Sequence, residues 1–474
     1  MINSEENTPL FVDLDGTLLK TDILFEEILI LLKRNIFYCL ALLFWLARGR
    51  AYLKFQLSKR VDMPVETLPV NTEFLRYLHM QKKENRELIL ISGSNQKAVD
   101  EVNNHMKLFN STFGSDENVN LTSRAKLKKI EMLTKGKPFS YAGNSREDTV
   151  IWNKASQAVI VNCKVKIINS KKFKNALSFD PPEPALSQLL RSVRPHQWLK
   201  NLLVFIPLIL SHQLSNTGLI SDLLVTFISF SLCASSVYIM NDLFDLSHDR
   251  NHLTKFNRPF ASGSLSVVTG LIAAPCLFVL GAITAFYLPI NFLIIFIIYG
   301  LINFAYSFHL KNIFMLDVVI LAFLYTLRIM AGAESIEVQT TSWLLGFSFS
   351  LFLGLALVKR VAELFNIIFA GKTKIEGRAY HKEHMNFLKY TGIFSSAIAI
   401  GIFAFYITDP KTTELYAEPL ILWAIFPLIS YLLFRIWKTA LKGEMSEDPV
   451  LFALTDHIGQ IIVACCGVIL WLAS

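Results

Sequence analysis

The chain has 474 residues, 53% of them hydrophobic, and a mean hydropathy of +0.42, which excludes an ordinary soluble enzyme. The average hides two halves: residues 1 to about 190 are mixed and charged, and long apolar runs dominate the rest. The net charge of +8 is no sign of nucleic-acid binding, because Lys and Arg gather in short loops between apolar runs, where anionic lipid attracts them. The six cysteines form no C-x-x-C pair, so neither disulfides nor zinc is expected.

The start, Met1 to Pro9, is polar and has no signal-peptide pattern. Leu10-Phe11-Val12 predicts a strand that runs into Asp13-Leu14-Asp15-Gly16-Thr17. Two acids one residue apart point the same way at a strand end, and the glycine permits a tight turn. Glu87 to Ile91 predicts a second strand ending at Ser92-Gly93-Ser94. Lys126 follows in Ser123-Arg124-Ala125-Lys126, and Tyr141-Ala142-Gly143-Asn144-Ser145-Arg146-Glu147-Asp148 closes the set. These four ordered motifs, over residues 10 to 165, resemble the haloacid dehalogenase (HAD) phosphohydrolases.

That resemblance implies an α/β Rossmannoid domain with a small helical cap. It implies Asp13 as nucleophile, Asp15 as the acid for the leaving oxygen, and Ser92 and Lys126 as phosphate holders. A Mg2+ ion would sit among Asp13, Asp15, Asn144 and Asp148. The chain departs from the pattern at Asn144, where the family usually has Asp, which removes one negative charge. An inactive binding domain or a phosphate sensor stays open beside a phosphatase. Between the first two motifs, Ile36 to Ala47 is apolar but too short to span a membrane. With Trp45, Arg48 and Arg50 beside it, it reads either as a buried cap helix or as a helix in contact with the membrane.

Ala158 to Val161 predicts the last strand of this domain. Lys164 to Pro184 is basic and then proline-containing, which marks a linker, placed at 166–187 between a domain at 1–165 and a membrane domain at 188–474. Leu186 to Val193 predicts a short amphipathic helix. Taking a span as about 20 mostly apolar residues, nine transmembrane helices are expected, centred near Val204, Phe230, Leu277, Ile297, Leu321, Phe349, Ile400, Ile425 and Val463. With residue 1 in the cytoplasm, the inner loops hold fourteen Lys and Arg and the outer loops Lys411 alone. The positive-inside rule then predicts a multi-pass protein of the cytoplasmic (inner) membrane, with its N-terminal domain and active site facing the cytoplasm.

Asn241-Asp242-Leu243-Phe244-Asp245-Leu246-Ser247-His248-Asp249 stands where a span should leave the bilayer. On a helix the acids at i, i+3 and i+7 share one face. Close carboxylates near a membrane are costly unless a cation neutralises them, and Mg2+ takes such oxygens together with a phosphate or diphosphate. The plainer alternative is a solvated helix end. N-D-x-x-D-x-x-x-D followed by Arg258-Pro259-Phe260-Ala261-Ser262-Gly263 resembles the UbiA superfamily of membrane prenyltransferases, over roughly 188 to 474. The stretch Arg194-Pro195-His196-Gln197-Trp198-Leu199-Lys200-Asn201, with Tyr306-Ser307-x-x-Leu310-Lys311, Arg328-Ile329-Met330-Ala331-Gly332 and Lys359-Arg360, resembles the decaprenyl-phosphate 5-phosphoribosyltransferase branch.

The resemblance implies Asp242, Asp245 and Asp249 as Mg2+ ligands on a diphosphate. Asn241, Lys255, Arg258, Lys311, Lys359 and Arg360 are the expected substrate contacts. Asp317 is the remnant of a second acidic motif, since Leu321 stands four residues on, and is expected as a ligand of a second metal with a thinner ligand set. Arg328, inside a span, is expected either to bind an acceptor phosphate or to pair with Asp317 on the same helix face. In that branch the donor is phosphoribosyl pyrophosphate and the acceptor a polyprenyl phosphate; elsewhere in the superfamily a prenyl diphosphate donates to an aromatic ring. The sequence also leaves a transporter to be weighed, although acids clustered at one membrane face are unlike a midplane transport site.

Overall fold

A computed structural model describes residues 8–163, 176–181, 183–252, 254–371, 373–375, 378–445 and 448–473. Half of the expected linker, including the 165/166 boundary, lies outside the described residues. The chain divides into two compact units, Met1–Val193 with Ile239–Ala273, and Arg194–Tyr238 with Ala274–Ser474.

In the first unit, strands β1 (Leu10–Val12), β2 (Leu88–Asn95), β3 (Ser111–Ser115), β4 (Ser140–Gly143), β5 (Gln157–Val161) and β6 (Leu177–Phe179) form one sheet in the order β3-β2-β1-β4-β5-β6. Every neighbouring pair is parallel. Parallel sheets are covered on both faces, so their strands are apolar throughout. Leu10, Phe11 and Val12 accordingly have no exposure; Leu10 and Val12 point into one core, and Phe11 into another with Tyr141 and Ile160. Sequence order reverses about β1, which pairs with β2 on one side and β4 on the other, and such a switch point opens a crevice at the strand ends. Strand β6 is a correction: Leu177–Phe179 falls in the expected linker, yet it pairs with β5 in register Val159↔Leu177.

Three helices follow the first motif: α1 (Ile23–Arg34), α2 (Tyr38–Ala47) and α3 (Arg50–Ser58). Asp22 caps α1, accepting from Leu24 N at 2.9 Å. The later helices α4 (Thr72–Lys83), α5 (Gln96–Met106), α6 (Ser123–Thr134) and α7 (Thr149–Trp152) complete the α/β domain. The reading of α2 as a plain buried cap fails. Trp45 is buried, but Phe37, Leu40, Leu43 and Phe44 are exposed by 75%, 67%, 65% and 56%.

The rest of the chain is helical. Seven helices among the described residues are long and apolar enough to cross a membrane, and an eighth span is possible if the pair Pro449–Thr455 and His457–Ala473, bent by 78°, counts as one. The segment near Val204 is not one of these long helices. There Pro195–Phe205 winds as a 3-10 helix and Ile206–Leu210 adds five α-helical residues. Pro195 and Pro207 withhold backbone donors, and buried Lys200 and Asn201 interrupt the apolar run.

Candidate functional site

The ends of β1, β2 and β4 bring the four N-terminal motifs together. Lys126 Nζ, from α6, lies 2.6 Å from Asp13 Oδ1 and 3.1 Å from the Tyr141 hydroxyl, all buried. Tyr141 donates to Asp148 Oδ1 at 2.7 Å. Asp148 Oδ2 accepts from Asn144 N at 3.1 Å and from the Ser145 N and Oγ, both at 2.9 Å. Asp15 Oδ1 accepts from Ile23 N at 2.9 Å, and its Oδ2 accepts from Ser92 Oγ at 2.9 Å and Ser94 Oγ at 2.6 Å. Burial pushes the Asp13 carboxyl up to about 7 against the pull of Lys126, with Asp148 adding to the rise. Burial pulls the Lys126 ammonium down, but Asp13 and Asp148 outweigh it and leave it raised.

The expected metal set at this site is not gathered. Asp148 is turned to Tyr141 and the Asn144–Ser145 turn, and both oxygens of Asp15 are engaged. The Asn144 amide covers Gly16: a Cβ on that residue, whose φ is +75°, would fall 1.9 Å from Asn144 Nδ2. Among the described residues no three His, Cys, Asp or Glu side chains are placed to hold a metal ion. Ser94 and Tyr141 stand inside the quoted motifs without an expected role, and Lys54 lies outside every motif. Lys54 reaches the site from α3, where it donates to Gly93 O and to Asn120 Oδ1.

The acidic motif spans an interruption of the helix at one residue, Asp245. The helix Thr217–Phe244 ends before Asp245, which stands at the N-cap position of the short helix Leu246–Arg250 without a side-chain capping bond. The one-face helix expected from i, i+3, i+7 is therefore interrupted, but Arg258 rejoins its ends: Nη1 lies 3.0 Å from Asp242 Oδ1 and 2.6 Å from Asp249 Oδ2. Asp242 and Asp249 are each 2% exposed. Lys33, the penultimate residue of α1, donates to Phe244 O at 2.7 Å and to Asp245 Oδ1 at 3.1 Å. Hard carboxylate oxygens suit Mg2+ in kind. In this arrangement Arg258 and Lys33 balance their charge.

The loop after the motif is fixed to the α/β domain. Arg250 makes a forked pair with Glu26 of α1, at 3.1 and 2.5 Å, and its Nε donates to Ala261 O at 3.1 Å. Gly263, at φ +75°, sits so close to Lys20 that an added Cβ would fall 2.5 Å from the Lys20 Cβ. Asn241 is half-buried on the long helix; Lys255 stands on the 3-10 turn Lys255–Asn257, one residue after that turn's cap, Thr254. Glu26, Lys33 and Arg250 were not among the predicted site residues, because pairs 212 and 224 residues apart leave no local pattern.

The second unit holds two further charge clusters. Asp317, fully buried, accepts from Arg360 Nε at 2.7 Å, from Arg378 Nη1 at 3.3 Å and from the Tyr380 hydroxyl. It anchors two arginines, and its expected role as a metal ligand finds no opening. Arg360 also meets Glu363 Oε2 at 2.5 Å and Tyr306 OH at 3.4 Å. Lys359 and Lys200 share Asp448 Oδ2 at 2.8 and 3.0 Å. Arg328 does not pair with Asp317. It donates to Asn201 Oδ1 at 2.9 Å, Leu324 O at 2.8 Å and Tyr299 OH at 2.6 Å, partners that are all neutral. Lys311 lies half-buried on the 3-10 turn Leu310–Asn312.

A parallel α/β domain joined to a bundle of apolar helices, with acids and basic side chains at a helix end, defines a multi-pass integral membrane protein. The model of the UbiA prenyltransferase family matches residues 204–458. The uncharacterized protein y4nM of Sinorhizobium fredii is 34% identical over 469 residues, 97% of this chain and 90% of that one. The chain belongs to the UbiA prenyltransferase family and is a membrane transferase. It is also 29% identical over 302 residues to the decaprenyl-phosphate phosphoribosyltransferase of Mycolicibacterium smegmatis, covering 60% of this chain and 91% of that one. A UbiA homolog from Archaeoglobus fulgidus, solved with GPP and Mg2+ bound, is similar at 17% identity and a TM-score of 0.46, covering 60% of this chain and 99% of that one.

Proposed function

We propose that this chain moves a 5-phosphoribosyl group from phosphoribosyl pyrophosphate to a polyprenyl phosphate, and that its N-terminal domain is a HAD-type phosphatase that removes the 5-phosphate from the lipid product. The observation that carries the reading is the pairing in one chain of the acidic motif with the Asp13–Lys126 constellation, the second suited to the phosphate the first would deliver. The relationship to decaprenyl-phosphate phosphoribosyltransferases supports the donor and acceptor.

In the transfer step an oxygen of the lipid phosphate attacks the anomeric carbon, the carbon–oxygen bond to diphosphate breaks, and diphosphate leaves. Asp242, Asp245 and Asp249 would hold Mg2+, which neutralises the leaving group when bound. Arg258, the cation those acids hold, is placed to pass to the diphosphate. Cations that meet charge developing on the leaving group stabilise the transition state above the ground state, the role we assign to Lys255 beside Arg258. Arg328, buried among neutral acceptors, is the group we assign to the acceptor phosphate. In the second step the Asp13 carboxylate attacks phosphorus, Asp15 protonates the departing ribose oxygen, and water releases phosphate from the aspartyl ester. Lys126 steers the Asp13 carboxylate and Ser92 orients Asp15. The acidic loop and the α/β domain face the cytoplasm in this reading, following the lysine and arginine bias of the loops.

The family's own description favours a second reading, transfer of a prenyl group from its diphosphate, with the N-terminal domain as a regulatory module. Membranes carrying the protein, offered radiolabelled phosphoribosyl pyrophosphate or a labelled prenyl diphosphate, separate the two. Label entering lipid from the first donor supports the proposal; label moving from the second donor alone replaces it.

A further inference from the structure

Helix α2 reads Tyr-Cys-Leu-Ala-Leu-Leu-Phe-Trp-Leu-Ala and contains no charged residue. One side, with Tyr38, Ala41, Leu42 and Trp45, packs into the core of the α/β domain. The other side carries Phe37, Leu40, Leu43 and Phe44, each more than half exposed. Spacings of three and four residues align them as one stripe. A helix that is apolar all round belongs in a core or in lipid, and ten residues are too few to span a bilayer.

Two observations name what covers the stripe. The first is charge. From Ile28 to Val61 the chain has no Asp or Glu, while Arg48 and Arg50 stand exposed at the end of α2, and Arg48 lies 4.6 Å from the Phe44 ring centroid. Cations bordering an apolar stripe complement anionic lipid headgroups. The second is depth. Lys33, five residues before α2 begins, donates to the carbonyl of Phe244, the last residue of a helix long and apolar enough to cross the membrane. Five residues reach at most about 18 Å, so α2 starts close to the level at which that helix leaves the hydrocarbon.

We infer that α2 is a lipid-docking helix: the Phe37–Phe44 stripe enters the headgroup–acyl boundary of the bilayer that holds the helical unit, and Arg48 and Arg50 bind anionic lipid phosphates. The stripe needs no enzymatic assignment, so the inference stands apart from the proposed reaction.

The test uses the full chain in vesicles of zwitterionic and anionic phospholipid. Cys39, Cys276, Cys465 and Cys466 are replaced by alanine, leaving Cys163 and Cys233 buried. Bimane is attached at Leu40→Cys, at Leu43→Cys or, as control, at Met132→Cys on α6, a side chain 61% exposed in the same unit. Lipids brominated near the headgroup should quench the first two by about twofold or more and spare the third. Arg48→Glu with Arg50→Glu should lower that quenching in anionic vesicles. Equal quenching at all three positions, or none at Leu40→Cys and Leu43→Cys, overturns the inference. Energy transfer between differently labelled copies without lipid quenching overturns it too, and gives the stripe to a second copy of this chain.

Discussion

The forked pair between Glu26 and Arg250 predicts that α1 holds the acidic loop in place. The two side chains are 4% and 5% exposed, Thr21 Oγ1 donates to Glu26 Oε1 at 2.6 Å, and Arg250 has one further acceptor, Ala261 O. Replacing Glu26 by methionine strands a guanidinium away from water. Removing one partner of a buried pair costs about 3–5 kcal/mol, whereas removing both costs far less, because no uncompensated charge remains. For a domain of this size the single loss corresponds to roughly 10 °C in the midpoint of unfolding. The assay follows reaction of a thiol-specific dye with Cys163, 2% exposed in the sheet core, on heating the full chain with its other cysteines replaced. Glu26→Met and Arg250→Met should each expose Cys163 at markedly lower temperature, and the double variant should recover more than half of the loss. Additive losses, or single shifts under about 2 °C, would refute the reasoning, since they would mean the pair stays solvated and weak.

Further expectations rest on other groups. Asp242→Asn and Asp245→Asn should each abolish Mg2+-dependent lipid transfer while the protein stays folded in the membrane; near-normal transfer in both would remove these carboxylates from the metal site. Burial, with Asp15 and Glu101 nearby, pushes Glu27 up to about 8 from its ordinary 4.5. Its contribution to stability is therefore full below pH 4.5 and lost as pH rises through 8. Glu27→Gln, measured by circular dichroism in chelator, should flatten that decline by up to about 1.4 kcal/mol per pH unit; an unchanged slope would place the titration elsewhere. A cysteine at Ser264 in cells should resist a membrane-impermeant reagent added outside, and labelling there would reverse the assigned orientation.

Much of the α/β domain is legible because its chemistry sits at strand ends, where alternation and glycine turns leave local marks. Leu10–Val12 forms the expected strand, and Ser92 and Lys126 lie within hydrogen-bond reach of Asp15 and Asp13. What escapes is settled by distant partners. Asp317 and Arg328 suit one helix face, yet Arg360 and Arg378 take the first and Asn201 and Tyr299 the second. Strand β6 is three residues long, too short for any periodicity to announce it. Hydropathy marks the apolar run at Val204 but not its backbone, which winds as a 3-10 helix from Pro195 and turns α-helical only at Ile206. The outward face of α2 could not be told from an inward one, because both of its faces are apolar.

The account's central claim is that one chain both links phosphoribose to a lipid and removes its phosphate. Mass analysis of the lipids made from phosphoribosyl pyrophosphate and polyprenyl phosphate tests it most directly, comparing the parent chain with Asp13→Asn. The carboxamide cannot form the aspartyl ester, so the variant should accumulate a lipid-linked ribose 5-phosphate where the parent yields the dephosphorylated lipid. Identical phosphorylated products from both chains, or no ribosyl lipid from either, would contradict it.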